Sequence, residues 1–462
     1  MKVNKKVVGI LIAVIVIAAC WFMPLSEGLT REALLAMGIF LSAVAMWICE
    51  SLPMSLTGMG LSMLMVLFGI YKITDAYRTF AGTAFFFVFA TYAINAALAE
   101  TTIPDRICAF FLRLTKSNTR LFVLGIMFTA ALLSAIMSNM ATCALIATLS
   151  IKVLKMNGND KGSGLGKCLM IGIPFACCAG GFATPAGTPA NIIAINLLEN
   201  EGVYIRFLDW MAVGFPIMIL AVLVCGFAVC LAFKPEKLSE STLAYANNLS
   251  SELGKLTSKE IKTLIIIGIE IVLWILSTWY PFLNTTLVAI LAMAAMFVPG
   301  INVLDWKTYD KYANYDTLFM MGSITALVGG LTATGAIDWV VSTVIPDVSN
   351  LSSFIVFLIC TTFVAVIHMF VPAGSAVLTL VSVPLLGIAA LTGVNAGALL
   401  MIACFWSAAS FLLPFDGVLV LSYSYGYFKT TDMLKCGVLP YLILIPGTAF
   451  LIPAICRLFG IG

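Results

Sequence analysis

Residues 180–191 read GGFATPAGTPAN, and this stretch decides how the surrounding chain can fold. A glycine pair and two prolines make a poor continuous helix. The apolar runs on either side, 168–178 and 190–198, are shorter than the roughly 20 residues that cross a bilayer. Irregular backbone at membrane depth is tolerated only where it is buried in protein or lines a cavity. The stretch therefore predicts the tip of a re-entrant hairpin, with a plain surface loop as the alternative.

The composition of the whole chain indicates a membrane protein. Of its 462 residues, 61% are hydrophobic and 10% are charged, and the mean hydropathy is +1.08. Soluble domains carry about 25% charged residues, so a soluble or disordered protein is excluded. The apolar runs are close to 20 residues long and lack strand-like alternation, which favours helical spans over barrel strands. We predict an all-α polytopic membrane protein.

Apolar runs divide the chain into full-length and short segments. The runs long enough to span are roughly 7–23, 33–49, 54–70, 83–99, 121–137, 211–233, 263–279, 284–299, 317–334, 353–371, 396–413 and 436–458. Shorter pieces lie at 139–154, 168–178, 190–198, 373–392 and 415–424. Short segments interrupted by glycine or proline in both halves are typical of discontinuous helices around a transport site.

The chain also shows two halves that echo each other. Asp209 and Asp432 are each followed, five residues later, by Gly214 and Gly437. This order suggests a duplication, and the copies are inverted if each has an odd number of crossings. The predicted division is residues 1–30 for the N-terminal tail and first span, 31–233 for repeat 1, 234–262 for a polar cytoplasmic linker and 263–462 for repeat 2.

The charges and cysteines of the sequence do not favour a nucleic-acid site, a metal site or a disulfide framework. The net charge is +3, and the 25 lysines and arginines form no cluster suited to nucleic acid. Most of the 13 cysteines lie in apolar runs, where they behave as small apolar residues rather than metal or disulfide partners. Lysines precede the first span, so the N-terminus is predicted to be cytoplasmic. We expect no organic cofactor and no enzymatic activity, since no HExxH, GxGD or Ser/Lys motif occurs.

Polar residues interrupt the apolar stretch between Phe122 and Val153. Ser134, Ser138 and Asn139 offer hydroxyl and amide oxygens, which are hard ligands suited to Na⁺, and an amide that can donate to a carboxylate. The alternative is interhelical packing by small polar side chains. Downstream, a helix that restarts after Pro189 would aim its N–H groups at an anion.

These motifs resemble the divalent anion:sodium symporter family, the INDY-type carriers of solute carrier family 13. The resemblance is carried by Ser138-Asn139, followed 48 residues later by Gly187-Thr188-Pro189-x-Asn191, and covers essentially the whole chain. It implies eleven spans, two re-entrant hairpins, inverted repeats, a homodimer and elevator-type movement. It also implies di- or tricarboxylate substrates such as succinate, malate, 2-oxoglutarate or citrate, usually coupled to Na⁺.

The resemblance also implies roles for residues of repeat 1. Ser134, Ser138, Asn139 and the backbone near Gly187 would form a sodium site. Asn139 and the Thr188-Pro189 pair would contact the substrate carboxylate. The family motif is Ser-Asn-Thr, and here Met140 takes its third position, which removes one expected hydroxyl contact.

Repeat 2 departs further from the family, because its second Ser-Asn-Thr is absent. The matching segment runs from His368 to Ser375 and includes Ala373 and Gly374 as candidate substrate contacts, while Asp416 stands at the second hairpin tip. One interpretation pairs His368 with Asp416, so that the imidazole replaces the second cation or carries a proton. In the other, Asp416 caps a helix and His368 bonds to a neighbour.

The sequence as a whole predicts a secondary active transporter of small organic anions in the inner membrane of a bacterium. One Na⁺ site is expected, in repeat 1. The alternative is a dicarboxylate exchanger or H⁺-linked symporter of the same fold, because the second cation site is missing. A channel is disfavoured, since no ring of carbonyls or charges suited to a filter is evident.

Overall fold

The computed structural model describes residues 5–114, 118–240, 242, 244, 253–280, 282–343, 351–369, 371, 374–414 and 416–461. Within these ranges the regular elements are helices. The first half contains α1 (Lys5–Phe22), α2 (Arg31–Ile48), α3 (Met54–Leu67), α4 (Ile73–Arg78), a 3₁₀ turn (Thr79–Ala81), α5 (Thr83–Ala99), α6 (Ile103–Leu114), α7 (Thr119–Ser134), α8 (Asn139–Met156), α9 (Gly164–Gly181), α10 (Pro189–Asn200) and α11 (Phe207–Phe233).

The second half continues with helices of similar lengths. They are α12 (Ser258–Leu276), α13 (Thr285–Phe297), α14 (Trp306–Tyr312), α15 (Tyr315–Ala333), α16 (Ala336–Thr343), α17 (Ser353–His368), α18 (Gly374–Thr392), α19 (Ala396–Ala408), α20 (Gly417–Ser424) and α21 (Thr430–Phe459). Among the described residues, nine helical stretches are long and apolar enough to cross a membrane, by length and composition. The predicted all-α polytopic membrane fold is confirmed.

Three of the segments predicted to be too short or too interrupted to span the membrane form helices that are long enough to do so. The runs 139–154, 168–178 and 373–392 correspond to α8, α9 and α18, which have 18, 18 and 19 residues. Pro174 and Pro384 lie inside α9 and α18 without ending them. Neighbouring groups in a membrane bundle can compensate for the missing proline N–H, so the sequence rule for breaks overestimated their effect. Conversely, the predicted span 396–413 is helical only as far as Ala408.

The two halves share local geometry at the start of their last helix. Asp209 in α11 and Asp432 in α21 each accept a hydrogen bond from the backbone N–H three residues earlier. A Cβ atom at Gly214 or Gly437 would lie within 2.5 Å of a carbonyl oxygen in the preceding hairpin segment. Helices α11 and α21 also pack against each other. These parallels fit a duplication, while the inverted topology stays a prediction.

The linker between the halves is tied down at both described ends. The Glu236 carboxylate accepts the N–H groups of Gly164 and Leu165 at 2.8 and 2.6 Å, at the start of α9. At the other end, Arg106 of α6 donates to the carbonyl of Gly254 at 2.8 Å and forms an ion pair with Glu260 of α12. Residues 241, 243 and 245–252 of the linker lie outside the described ranges.

Candidate functional site

Four helices begin around one pair of adjoining cavities. Their volumes are about 330 and 120 Å³, and the first turns of α8, α10, α18 and α20 supply lining residues to at least one of them. A helix N-terminus carries a partial positive charge and N–H groups without intrahelical partners, so the starts of α8 and α10, which have no side-chain cap, suit an anion. The residues shared by both cavities are Asn139, Thr188, Pro189, Ser375, Asp416 and Val418.

The first-half break brings the predicted cation ligands together. Ser134 ends α7, and its hydroxyl donates to Oδ1 of Asn139, the first residue of α8, at 2.6 Å. Ser138 precedes α8 in an extended conformation. Its backbone N–H donates to Oδ1 of Asn95 at 2.7 Å. The helix therefore breaks before Asn139 rather than at it, because Ser138 already takes the N-cap position.

The first hairpin tip is fastened to this break. Thr184 donates from its hydroxyl to the carbonyl of Ala135 at 2.5 Å. The amide of Asn191 donates to the carbonyls of Gly181 and Thr184, both at 2.8 Å. A Cβ at Gly187 would come 2.3 Å from the Gly181 carbonyl oxygen, so the two backbone segments approach as only glycine allows. Thr184 is buried, as expected for irregular backbone at membrane depth.

The donor set at this break fits a hard monovalent cation. Ser134 and Asn139 contribute neutral oxygens, and α7 and α9 end here. Helix C-termini present partial negative charge and unpaired carbonyls, which suit Na⁺ in discontinuous helices. Among the described residues no group of three His, Cys, Asp or Glu side chains could hold a transition metal.

The wall that the first half contributes to the larger cavity contains Thr188 and Met140. Thr188 precedes α10 without capping it, and its buried hydroxyl oxygen has no hydrogen-bond partner among the described residues. Met140 lines the larger cavity with half of its surface exposed. A Cβ at Gly417 would lie 2.8 Å from the Met140 Cε, so this thioether reaches the second hairpin.

In the second half, His368 and Asp416 face each other. His368 ends α17 and is fully buried, and its Nδ1 lies 2.8 Å from the carbonyl oxygen of Trp406. Its Nε2 lies 4.0 Å from Oδ2 of Asp416 and has no hydrogen-bond partner among the described residues. The other oxygen of Asp416 accepts the N–H of Val418 at 3.0 Å, so this carboxylate also caps α20. The helix-cap role of Asp416 is therefore observed, while its pairing with His368 stays a prediction. The predicted contact Ala373 lies outside the described residues.

The tautomer of His368 follows from this geometry. A carbonyl oxygen only accepts, so Nδ1 must carry hydrogen, and in the neutral ring Nε2 is then the bare acceptor. A neutral imidazole and an ionised Asp416 would therefore present two acceptors to each other across 4.0 Å. One added proton, on either group, converts this contact into an attractive one.

The opposite wall of the larger cavity contains polar residues that the sequence analysis missed. Asn95 and Tyr92 come from α5, and Asn314 and Thr317 come from the start of α15. The Tyr92 hydroxyl donates to the Asn314 carbonyl at 3.1 Å. Asn95 could have been found, since it is an isolated amide in an otherwise apolar span. Asn314 and Thr317 follow a polar connector, where nothing in the pattern separates them from ordinary loop residues.

Charge in the cavities is sparse. Asp416 is the only Asp, Glu, Lys, Arg or His side chain among the described residues that line either of them. An anion bound here would therefore meet helix N-termini, hydroxyls and amides rather than lysine or arginine. Its charge would need a cation or a proton at the adjoining sites.

The chain is similar in sequence to known membrane transporters. A family model described as the sodium:sulfate symporter transmembrane region matches residues 4–453. An uncharacterized transporter of Haemophilus influenzae is 23% identical over 414 residues, covering 87% of each chain. The sodium-dependent dicarboxylate transporter SdcS of Staphylococcus saprophyticus is 22% identical over 387 residues, covering 78% of this chain and 74% of that protein.

A solved structure also shares the fold. MtrF of Neisseria gonorrhoeae, described within a class of antimetabolite efflux pumps, superposes with a TM-score of 0.61 at 14% identity. The match covers 100% of this chain and 96% of that one. At this identity the likeness concerns the fold alone.

Proposed function

The chain belongs to the sodium:sulfate symporter family, and from that premise we propose that it is a Na⁺-coupled secondary active transporter of small di- or tricarboxylates. Membership makes it a membrane transport protein rather than an enzyme. The observation that supports an anionic substrate is the convergence of four helix N-termini on cavities that no basic side chain lines among the described residues. Such a site binds an anion through backbone N–H groups and dipoles.

The proposed cation site lies at the break between α7 and α8. Ser134, Ser138, Asn139 and the backbone at Gly187 would hold one Na⁺, which the C-terminal ends of α7 and α9 also favour. Because Asn139 lines both cavities, this cation would sit beside the bound carboxylate. Each ion would then offset the charge of the other, which is the physical basis of coupling.

The proposed substrate contacts come from both halves. Asn139, Met140, Thr188 and Pro189 would hold one carboxylate, and Gly374, Ser375 and Asp416 would form the facing wall. The uncapped start of α10 and the unpartnered hydroxyl of Thr188 support the first group. The cavity of about 330 Å³ is of a size for a small metabolite.

The family resemblance also implies a transport mechanism, an assembly and a location for this protein, and we propose all three. It includes elevator-type alternating access, a homodimer and a place in a bacterial inner membrane with the N-terminus in the cytoplasm. Lys5 and Lys6 at the start of α1 support that orientation by the positive-inside rule.

A second candidate function is exchange or H⁺-linked symport. The observation that favours it is the pair of His368 Nε2 and Asp416 Oδ2 at 4.0 Å, where repeat 1 has neutral oxygens. A proton held by this pair would replace the second cation.

Uptake into proteoliposomes distinguishes the two. Radiolabelled succinate is offered with an inward Na⁺ gradient, an inward H⁺ gradient or internal unlabelled succinate, with sulfate and citrate as competitors. Saturable uptake driven by Na⁺ alone is the expected result. Uptake that ignores Na⁺ but requires internal succinate would establish exchange, and a flux that does not saturate would contradict a carrier altogether.

A further inference from the structure

An apolar groove runs along the outer surface between α7 and α11, and its lining residues are separate from those of the two cavities described above. Its volume is about 290 Å³, and its apolar lining includes Leu124, Leu223, Phe227 and Leu231. The last three are 46%, 60% and 58% exposed. They lie on one face of α11, one turn apart, and cover about 12 Å of helix axis. This length fits within one leaflet of the hydrocarbon core, which is about 15 Å thick.

One end of the groove is basic. Arg120, the second residue of α7, is exposed and lies in the same groove as Cys230 and Leu231 of α11. In the part of the chain that the structure describes, its guanidinium forms no ion pair with a carboxylate. Lys435 lies 6.0 Å from the ring of Phe233, at the same end of α11. The positively charged side chains of Arg120 and Lys435 therefore lie near the end of the apolar groove.

We propose that this groove binds one anionic phospholipid. An acyl chain would lie along Leu223, Phe227 and Leu231, and the phosphate would accept hydrogen bonds from Arg120. A planar guanidinium is suited to phosphate oxygens, and basic side chains at a helix end attract anionic headgroups. An anionic headgroup is the favoured occupant, because it supplies the counter-ion that Arg120 lacks among the described residues.

Native mass spectrometry of the purified full-length protein tests this assignment. Delipidated protein is titrated with phosphatidylglycerol, with phosphatidylcholine of the same chains, and with inorganic phosphate. We expect one phosphatidylglycerol per chain to bind at least about fivefold more tightly than phosphatidylcholine, which is the contribution of one basic residue at a membrane surface. Inorganic phosphate should neither bind nor compete, since it lacks the chain that fills the groove.

Three variants locate the site. R120Q should weaken phosphatidylglycerol about fivefold and remove the preference over phosphatidylcholine. L223W should fill the exposed groove and weaken both lipids without disturbing the core. R457Q is the matched control, because Arg457 is an exposed arginine near the end of α21 and should leave binding unchanged.

Several results would overturn the proposal. One is R120Q binding phosphatidylglycerol as the wild type does, and another is L223W binding unchanged. Competition by inorganic phosphate would mean a simple anion site, and loss of dimer mass in R120Q or L223W would mean that a second copy covers the groove. Circular dichroism of each variant excludes loss of fold as the cause.

Discussion

The helix end at Ser134 in the first half and the helix end at His368 in the second half are surrounded by different chemistry. At the first, Ser134 and Asn139 already share a hydrogen bond of 2.6 Å between neutral oxygen-bearing groups. At the second, the His368 ring and the Asp416 carboxylate stand 4.0 Å apart without a hydrogen bond between them. The first suits a hard metal cation and the second suits a proton. Two helix ends of one chain can therefore present different chemical groups, neutral oxygens at one and an ionisable pair at the other.

Breaking the second site on one side should have the largest effect. If His368 and Asp416 hold one proton between them, H368A leaves Asp416 without that partner beside the cavity, and removing one partner of a buried pair costs about 3–5 kcal/mol. We expect succinate uptake below about one hundredth of wild type. The double variant H368A/D416N removes the stranded charge and should recover part of the uptake.

Two results for H368A and the double variant would contradict the pairing of His368 with Asp416. A double variant no better than H368A, or H368A that transports normally at every pH from about 5.5 to 8, would leave Asp416 as a helix cap only. D416N alone keeps an amide oxygen that can accept the Val418 N–H, so it separates the cap from the charge.

Breaking the first site should have a smaller but clear effect. N139A removes the acceptor for the Ser134 hydroxyl and a candidate donor to the substrate carboxylate. A hydrogen bond to such a charged group is worth about 1.5–3 kcal/mol. Uptake at limiting substrate should fall at least tenfold, and T188V should fall less because backbone N–H groups remain. N196A is the matched control, since Asn196 contacts Thr325 outside the cavities. Wild-type uptake by N139A would refute the assignment.

Introducing a hydroxyl at position 140 should raise the affinity of the first site for the substrate. M140T replaces an exposed thioether in the cavity with a group that can donate to a carboxylate. A net hydrogen bond of about 0.5–1.5 kcal/mol should lower the apparent KM for succinate by about two- to tenfold. Titration of uptake against succinate measures this, with M140L as the control that keeps the apolar volume. An unchanged KM in M140T would place residue 140 outside the substrate contacts.

The slope of Na⁺ dependence gives the finest distinction between the two sites. If only the first holds Na⁺, uptake should rise with a Hill coefficient near one. Steeply sigmoidal dependence would mean that backbone carbonyls of the second half rebuild a second sodium site. The measurement is initial uptake across a range of Na⁺ at constant ionic strength, repeated at pH 6 and pH 8.

Much of the fold could be predicted because it depends on local chemistry. Hydropathy identified the polytopic class, and the glycine and proline pattern around Gly187 identified the first tip. The breaks expected in the segments of Pro174 and Pro384 were wrong, since the tolerance of these prolines depends on neighbouring helices that a local pattern does not contain.

Residues of the candidate site divide in the same way. Ser134, Asn139, Thr188 and Asp416 could be named from motif and spacing, and the structure places all four at the adjoining cavities or the break beside them. Their roles stay predictions until the variants are measured. Asn314 and Thr317 could not be named, because they become cavity residues only when α15 packs near α5.

By itself, the sequence determined that this chain spans a bilayer and that its helices break at the glycine and proline stretch around Gly187. Those outcomes follow from transfer free energies and backbone restrictions, which act on each residue where it stands. Only the tertiary structure decided that His368 would face Asp416, that Asn95 would accept the Ser138 N–H and that Arg120 would close an apolar groove. These contacts join residues from about 40 to over 100 positions apart, and their distances are set by how whole helices pack.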